Sequence, residues 1–321
     1  MPPMARVFVT RRLPGDALER LAREHDAEIW QGRLQPSRAK LIEKAADAEG
    51  LLTLLTDRID ADLIAQCEKL RVISNYAVGV DNIDVRAATA RGIPVGFTPD
   101  VLTEATADAT FALLLAAARR VVEGDAVVRA GRWLTWEPEL LLGQDVYGKT
   151  LGIVGLGRIG EAVAKRAGGF SMEVMHHSRS SGVSLDELLD QADFVSLHAR
   201  LTDETRGLIG EQQLRRMKQT AILINTARGA MVDSGALARA LAGGWIAGAA
   251  LDVSDPEPLP KGHPLLDAPN LIVMPHVASA SIEARTAMAD VAVDNLLAGL
   301  AGEPLRKSVN ADALAATRPA P

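Results

Sequence analysis

The sequence holds one cysteine, Cys67, in 321 residues. An internal disulfide framework is thereby excluded, and a reducing compartment fits. No motif surrounds Cys67, so it reads as an inert, partly buried thiol rather than a reactive one. Positive charge is not in surplus either: 35 Lys and Arg face 41 Asp and Glu, for a net charge of −6. That balance leaves no global basic footprint for nucleic acid or an anionic membrane. Long hydrophobic runs are missing. The most apolar stretch, FALLLAAA at 111–118, is too short to cross a bilayer. The opening residues, MPPMARVFVTRR, have neither a long apolar core nor a small-residue cleavage site, so no export signal is visible. No histidine, cysteine or acidic cluster has metal-ligand spacing, and no Ser or Cys nucleophile is placed beside a base. What remains is the expectation of a soluble cytoplasmic protein with no metal, nucleic-acid or membrane partner.

Composition is otherwise ordinary, 48% hydrophobic and 24% charged, and the length suggests two domains that each bury a core. Up to residue 99, short apolar runs (RVFVT, AEIW, GLLTLL, LRVISN, IPVGF) read as strands. Between them PGDALERLARE, SRAKLIEKAAD and DADLIAQCEK have helical spacing and helix-starting caps. Strand-helix alternation of this kind predicts a parallel sheet covered on both faces. TPDVLTEATADATFALLLAAARRVV then reads as one long apolar helix connecting two domains, followed by the irregular stretch RAGRWLTWEPELLLGQDVYGKT. A second alternation starts at Leu151, with strands LGIVG, MEVMH, DFVSLH, AILINT, AGAALDV and NLIVMP. SIEARTAMADVAVDNLLAGLAG is a long amphipathic helix that carries the chain back to the first domain. The reading is a discontinuous smaller domain, 1–99 with 288–321, into which a dinucleotide-type domain, 100–287, is inserted. The Ala/Pro tail ALAATRPAP is expected to fray.

TLGIVGLGRIGEAVAKR places Gly155, Gly157 and Gly160 in G-x-G-x-x-G spacing between an apolar strand and a helical run. In such a turn the first glycine permits the tight bend and the second lets backbone approach a pyrophosphate. The third lets helix pack on strand. The helix N-terminus presents unpaired N–H groups to the phosphates. Plain packing is the alternative use of such glycines; strand and helix together favour a cofactor. The next strand ends in Ser178, Arg179 and Ser180, where an acidic residue usually grips a ribose. An arginine fork flanked by hydroxyls suits a 2′-phosphate, so NADP(H) is expected over NAD(H), which remains possible. Against this stands a solvated surface arginine.

Arg228 follows ILINTA, Glu257 follows AGAALDVSDP and His276 follows NLIVMP, each near the end of an expected strand. Ligands of an open α/β sheet bind outside the carboxyl ends of its strands. Hydride reduction of a ketone needs a proton for the developing alkoxide, which a histidine carries near neutral pH. A carboxylate beside it favours the imidazolium and orients the ring. An arginine binds a substrate carboxylate or polarises the carbonyl. Asp252 is placed to hydrogen-bond a nicotinamide amide. Singly, each has a bland reading: a capping arginine, a solvated loop glutamate, a core histidine. Their joint occurrence at strand ends favours a site. His198 also ends a strand and reads as a lining residue; His176, His177 and His263 are less persuasive.

GKTLGIVGLGRIGEAVAKRA, LINTARGAMVDSGALARAL, GAALDVSDPEPLPKGHPLLDAPNLIVMPHVAS and NYAVGVDNIDVRAATARGIPV resemble the D-isomer-specific 2-hydroxyacid dehydrogenases over almost the whole chain. RWLTWEPELLLGQDVYGKT and MADVAVDNLLAGLAGEP are similar to the glyoxylate/hydroxypyruvate reductase branch, where NADPH is the common cofactor. The resemblance implies two doubly wound α/β domains, a Rossmann domain inserted into a flavodoxin-like substrate domain. It implies that Arg228 binds substrate, Glu257 supports the histidine and His276 is the general acid/base. Val78 and Gly79 match the amides that hold the substrate carboxylate, with Leu55 nearby. Thr106, Arg158, Ile159 and Asp252 match cofactor contacts. It also implies a homodimer joined through the cofactor domains, with Trp136 either reaching the partner's active site or serving as a core residue.

Two departures stand out. Relatives carry a further helix and short strand between the clasp and SLDELL, whereas here SSGVSLDELL follows almost at once; Arg200 stands where relatives commonly have proline. The expected activity is NAD(P)H-dependent reduction of glyoxylate or hydroxypyruvate, with His276 as proton donor. The alternatives are a larger substrate, such as 2-ketogluconate or 3-phosphoglycerate, and a non-catalytic nucleotide-sensing module resembling a corepressor scaffold.

Overall fold

A computed structural model describes residues 4–317. Described residues up to Leu102 and from Ala280 onward form one compact unit, and Thr103–Ser279 form the other. The sequence placed these seams after 99 and after 287. The helix Ile282–Ala301 packs whole within the first unit, which draws the second seam forward.

The first unit contains β1 (Arg6–Val9), β2 (Asp26–Ile29), β3 (Gly50–Thr53), β4 (Val72–Asn75) and β5 (Val95–Gly96). Their order is β2-β1-β3-β4-β5, parallel throughout, which is the flavodoxin-like arrangement expected. Every residue of β3 and β4 is buried, as a sheet covered on both faces requires. Ser37, Asp60 and Asp84 start helices by accepting the amides of Lys40, Leu63 and Ala87. The amphipathic stripe expected for Ile282–Ala301 is broader than one face, with ten of its residues buried. The expected frayed tail is partly a helix, Ala311–Thr317; positions 318–321 lie outside the described residues.

The second unit contains β6 (Thr150–Val154), β7 (Glu173–His177), β8 (Phe194–Leu197), β9 (Ile222–Asn225), β10 (Gly248–Leu251) and β11 (Leu271–Val273). The order is β11-β10-β9-β8-β6-β7, again parallel. Strand order reverses at β6, so the crevice between the carboxyl ends of β6 and β8 is the topological switch point. The single long helix expected after Pro99 is two, Thr103–Ala118 and Val121–Arg129. Arg120 breaks it with φ +53°, a left-handed conformation. The freed carbonyl of Ala118 accepts the amide of Gln144 at 2.9 Å, and Gly143 approaches it so closely that a Cβ there would lie 2.2 Å away. No helix among the described residues is long and apolar enough to cross a membrane.

One packing contact decides how the first sheet seats its long helix. Gly299 lies against β4, where an added Cβ would stand 2.5 Å from Val72 Cγ2 and 2.6 Å from its Cβ. Alanine improves intrinsic helix propensity by about 1 kcal/mol. Overpacking against a side chain anchored at its own Cβ costs about 1–3 kcal/mol, which wins. Gly299→Ala is therefore expected to lower the melting temperature in a thermal unfolding scan. An unchanged or higher value would mean that helix and strand separate freely.

Candidate active site

The glycine turn follows β6. Gly155 has φ +97°, and a Cβ there would stand 2.5 Å from the amide nitrogen of Ala199, just past β8. Only glycine lets the turn close on the backbone at the switch point. Gly160 is equally constrained, because its Cβ would lie 2.3 Å from the Gly155 carbonyl oxygen. Gly157 differs: nothing lies within 4 Å of its Cβ position, so its backbone is open to an approaching group. It is the N-cap of Arg158–Ala167 and supplies no side-chain cap to the first turn, where Arg158 and Ile159 sit. A ten-residue helix with uncapped amides behind an open glycine fits a dinucleotide pyrophosphate. Thr106 lies in the unit's interior, 4% exposed, on the first turn of Thr103–Ala118.

The clasp lies at the end of β7, the edge strand of this sheet. The chain reverses at once: His177 bridges Gly182, and the Val183 amide donates to the His176 carbonyl at 2.9 Å. Gly182 permits this with φ +91°, since any Cβ would lie 2.0 Å from the His176 oxygen. The turn consumes Ser178. Its hydroxyl donates to the Ser181 carbonyl at 3.0 Å and accepts the Ser181 amide at 3.1 Å. Arg179 and Ser180 form the exposed tip. Among the described residues their amides meet no acceptor.

Arg228, Glu257 and His276 all belong to the second unit. Arg228 follows β9 on a loop shaped by Asn225. The Asn225 carboxamide accepts the Ala227 amide at 3.0 Å and donates to the Arg228 carbonyl at 2.9 Å. Next to it, Gly229 presses against Ser254, with room for no Cβ. Past β11, His276 has φ +56°, a left-handed conformation that costs a non-glycine residue about 1–3 kcal/mol. Asp252 holds it there. The Asp252 carbonyl accepts the His276 amide at 2.8 Å, and its carboxylate accepts the Val277 and Ala278 amides at 2.8 and 2.7 Å. Asp252 is 1% exposed, and backbone anchoring is its visible task. The imidazole Nδ1 then meets Glu257 Oε1 at 2.6 Å, with the two side chains 22% and 35% exposed. A bond of that length orients the ring and leaves Nε2 as the nitrogen not committed to Glu257. Neither Asn225 nor the anchoring use of Asp252 was read from the sequence; an Asn or Asp directly at a strand end, able to bond nearby backbone, was the available signal.

His198 pairs its Nε2 with Ser196 Oγ at 2.8 Å, and burial lowers it to about 4, so it is neutral near pH 7. Leu55, Val78 and Gly79 lie in the first unit, just past β3 and β4. Their amides meet no acceptor among the described residues. Trp136 is 78% exposed, so the core reading fails. Arg200 is exposed, and its carbonyl accepts Thr205 Oγ1 at 2.6 Å. Cys67 is buried, which pushes its thiol up to about 11. The described residues hold no metal-binding cluster. A cavity of about 420 Å³ opens at the amino ends of β9, β10 and β11, lined by Ala117, Leu142, Gln144, Thr220 and Ile272. It is at the opposite end of these strands from the triad.

Residues 111–278 match the family of D-isomer specific 2-hydroxyacid dehydrogenases, in its NAD-binding domain. A glyoxylate reductase of Korarchaeum cryptofilum is 52% identical, over 93% of each chain. One of Aeropyrum pernix is 50% identical over 98% of each. Among solved structures, a Thermus thermophilus protein is 53% identical with a TM-score of 0.91, covering 95% of this chain and 99% of that one. An NADPH-dependent glyoxylate/hydroxypyruvate reductase of Sinorhizobium meliloti, in complex with NADP and malonate, is 33% identical with a TM-score of 0.84, covering 95% and 96%.

Asp252→Asn tests the ledge on which His276 stands. An amide offers one acceptor oxygen where two backbone donors converge, and sets an N–H against the other. Leaving a buried donor unpaired costs about 1–3 kcal/mol. Faster hydrogen exchange at Val277 and Ala278 and a lower melting temperature are expected. Unchanged exchange at both amides would remove Asp252 from this role.

Proposed function

The chain belongs to the D-isomer specific 2-hydroxyacid dehydrogenases, and from that membership we propose that it reduces glyoxylate or hydroxypyruvate, with NADPH preferred to NADH. The observation that carries the chemistry is the 2.6 Å bond between His276 Nδ1 and Glu257 Oε1, past the ends of β11 and β10, with Arg228 past the end of neighbouring β9. The bound nicotinamide supplies the hydride. His276 supplies the proton: with Nδ1 committed to Glu257, Nε2 is the atom that gives it to the oxygen as alkoxide charge develops. Glu257 keeps the ring in that orientation throughout. Arg228, on a loop fixed by Asn225, takes the substrate carboxylate and draws on the carbonyl oxygen. After transfer the neutral imidazole is reprotonated from solvent.

The first unit's part is assigned on the family pattern. The amides of Val78 and Gly79, with Leu55, hold the carboxylate, and their lack of backbone acceptors supports that use. Thr106, Arg158, Ile159 and Asp252 are assigned to the cofactor in the same way. For the 2′-phosphate, the Arg179 guanidinium, Ser180 and the open amides at the tip of the clasp are the donors. The Ser178 hydroxyl is already spent on the turn. A second copy of the chain is the proposed partner. Residues 121–147 expose a run of large apolar side chains, Leu134 at 88% and Trp136 at 78% among them, too much for a face left in water. We assign the homodimer to the cytoplasm, where a lone reduced thiol is at home.

The test is kcat/KM for NADPH and NADH with saturating glyoxylate, then hydroxypyruvate. Preference for NADPH is expected, and Arg179→Asp should weaken NADPH by about tenfold or more while leaving NADH nearly unchanged. Equal loss with both cofactors would take the clasp out of the assignment. His276→Ala should lower kcat by about 10²–10⁴-fold, the usual worth of a positioned acid, with NADPH still binding. Turnover of 2-ketogluconate but of neither small ketoacid would move the reading to a larger substrate.

A further inference from the structure

The first sheet has its own switch point, between β1 and β3, and a buried polar network lies across it. Thr10, just past β1, donates its hydroxyl to Asp57 Oδ2. The same oxygen accepts the Leu54 amide at 2.8 Å, closing the turn that begins after β3. Asp57 is 2% exposed; its Oδ1 meets no donor among the described residues, and burial raises the carboxyl above its usual range.

Asn82 ties this turn to the next one. Its Nδ2 donates to the carbonyls of Leu54 and Asp57, both at 3.0 Å, using both hydrogens of one amide. Its Oδ1 accepts from Asn75 Nδ2 at 3.1 Å, and that group also donates to the Gly79 carbonyl at 2.9 Å. Thr53 Oγ1 completes the set by donating to Asn75 Oδ1 at 3.0 Å, across the paired ends of β3 and β4. The carbonyls of Leu54 and Gly79 are thus pinned by side chains. The amides of Leu55, Val78 and Gly79 in the same two turns meet no acceptor among the described residues. Side chains hold the acceptors inward, and the donors are left over.

We propose that Asn82, acting with Asn75 and Asp57, is a positioning clamp that sets the two turns so that their open amides converge on a substrate carboxylate. The inference rests on the ketoacid reading above and adds a residue that never touches substrate. Its signature is a split between kinetic constants. The acid and hydride steps use residues of the other unit, so a slackened clamp loosens ground-state capture of the carboxylate.

Asn82→Ala removes both donors from Leu54 and Asp57. The expected result is a KM for glyoxylate raised about tenfold, the scale of unpairing one or two buried carbonyls, with kcat within about threefold and the Kd for NADPH unchanged. An unchanged KM, or a fall in kcat that matches the rise in KM, overturns the clamp. Should Asn82→Ala not yield folded protein, Thr10→Val unhooks Asp57 from β1 and is expected to raise KM in the same direction. Thr10→Ser, which keeps the hydroxyl, should restore it; a parental KM in Thr10→Val overturns the proposal. Wild-type enzyme is the control that separates the two readings. If it reduces no 2-ketoacid, the function itself falls; if it does and the variants match it, only the clamp does.

Discussion

Asp252 lies at the end of β10 with both carboxylate oxygens turned onto the backbone of the neighbouring strand exit. Much of the site follows from that contact. A parallel sheet brings its strand exits side by side at one edge, but it does not say which way a side chain leaves the edge. His276 leaves in a left-handed conformation that chain geometry resists, and the anchored amides of Val277 and Ala278 keep it there. With the backbone fixed, the imidazole meets Glu257 Oε1 at 2.6 Å. Asn225 does the same for Arg228, one strand away. His276 and Arg228 are each backed by a neighbouring side chain that bonds backbone, which fixes the loops that carry them.

The same division of labour governs what could be read in advance. Strands were legible because each is a short, mostly apolar run between breakers, and the central ones are buried on both faces. The glycine turn was legible because its spacing follows from a steric requirement, visible in the contact between Gly155 and Ala199. Arg228, Glu257 and His276 were picked out by their positions near strand ends, the histidine being one of six in the chain. The supporting residues were not, since Asn75, Asn82, Asp57 and Asn225 are ordinary polar residues until their partners are known. For Asn82 and Asp57 decisive partners come from turns separated in sequence: Asn82 reaches back to Leu54, and Thr10 reaches forward to Asp57.

Errors in the reading have physical causes of the same kind. The run from Val101 to Val122 has no helix breaker, so nothing local marks the left-handed Arg120. The break is set by Gln144 and Gly143, more than twenty residues downstream, closing on the Ala118 carbonyl. The six-residue helix Val85–Ala90 was missed; its start rests on the Asp84 cap. Ser178 was read for a ligand, and its hydroxyl also bonds Ser181 within its own turn. A hydroxyl four residues from a glycine serves a turn as readily as a phosphate.

That turn has a consequence for how such an enzyme changes over generations. The residues to which the coenzyme choice is assigned occupy a short loop at the edge strand β7, beyond which no further strand lies among the described residues. Gly182 closes it on His176 and His177 of its own strand, so its tip can vary without disturbing what β6 and β8 bury. Preference for one reducing pool or another is then an interchangeable fitting on a fixed machine. A lineage moving between metabolic settings could exchange Arg179 and Ser180 while leaving untouched every contact that aims His276.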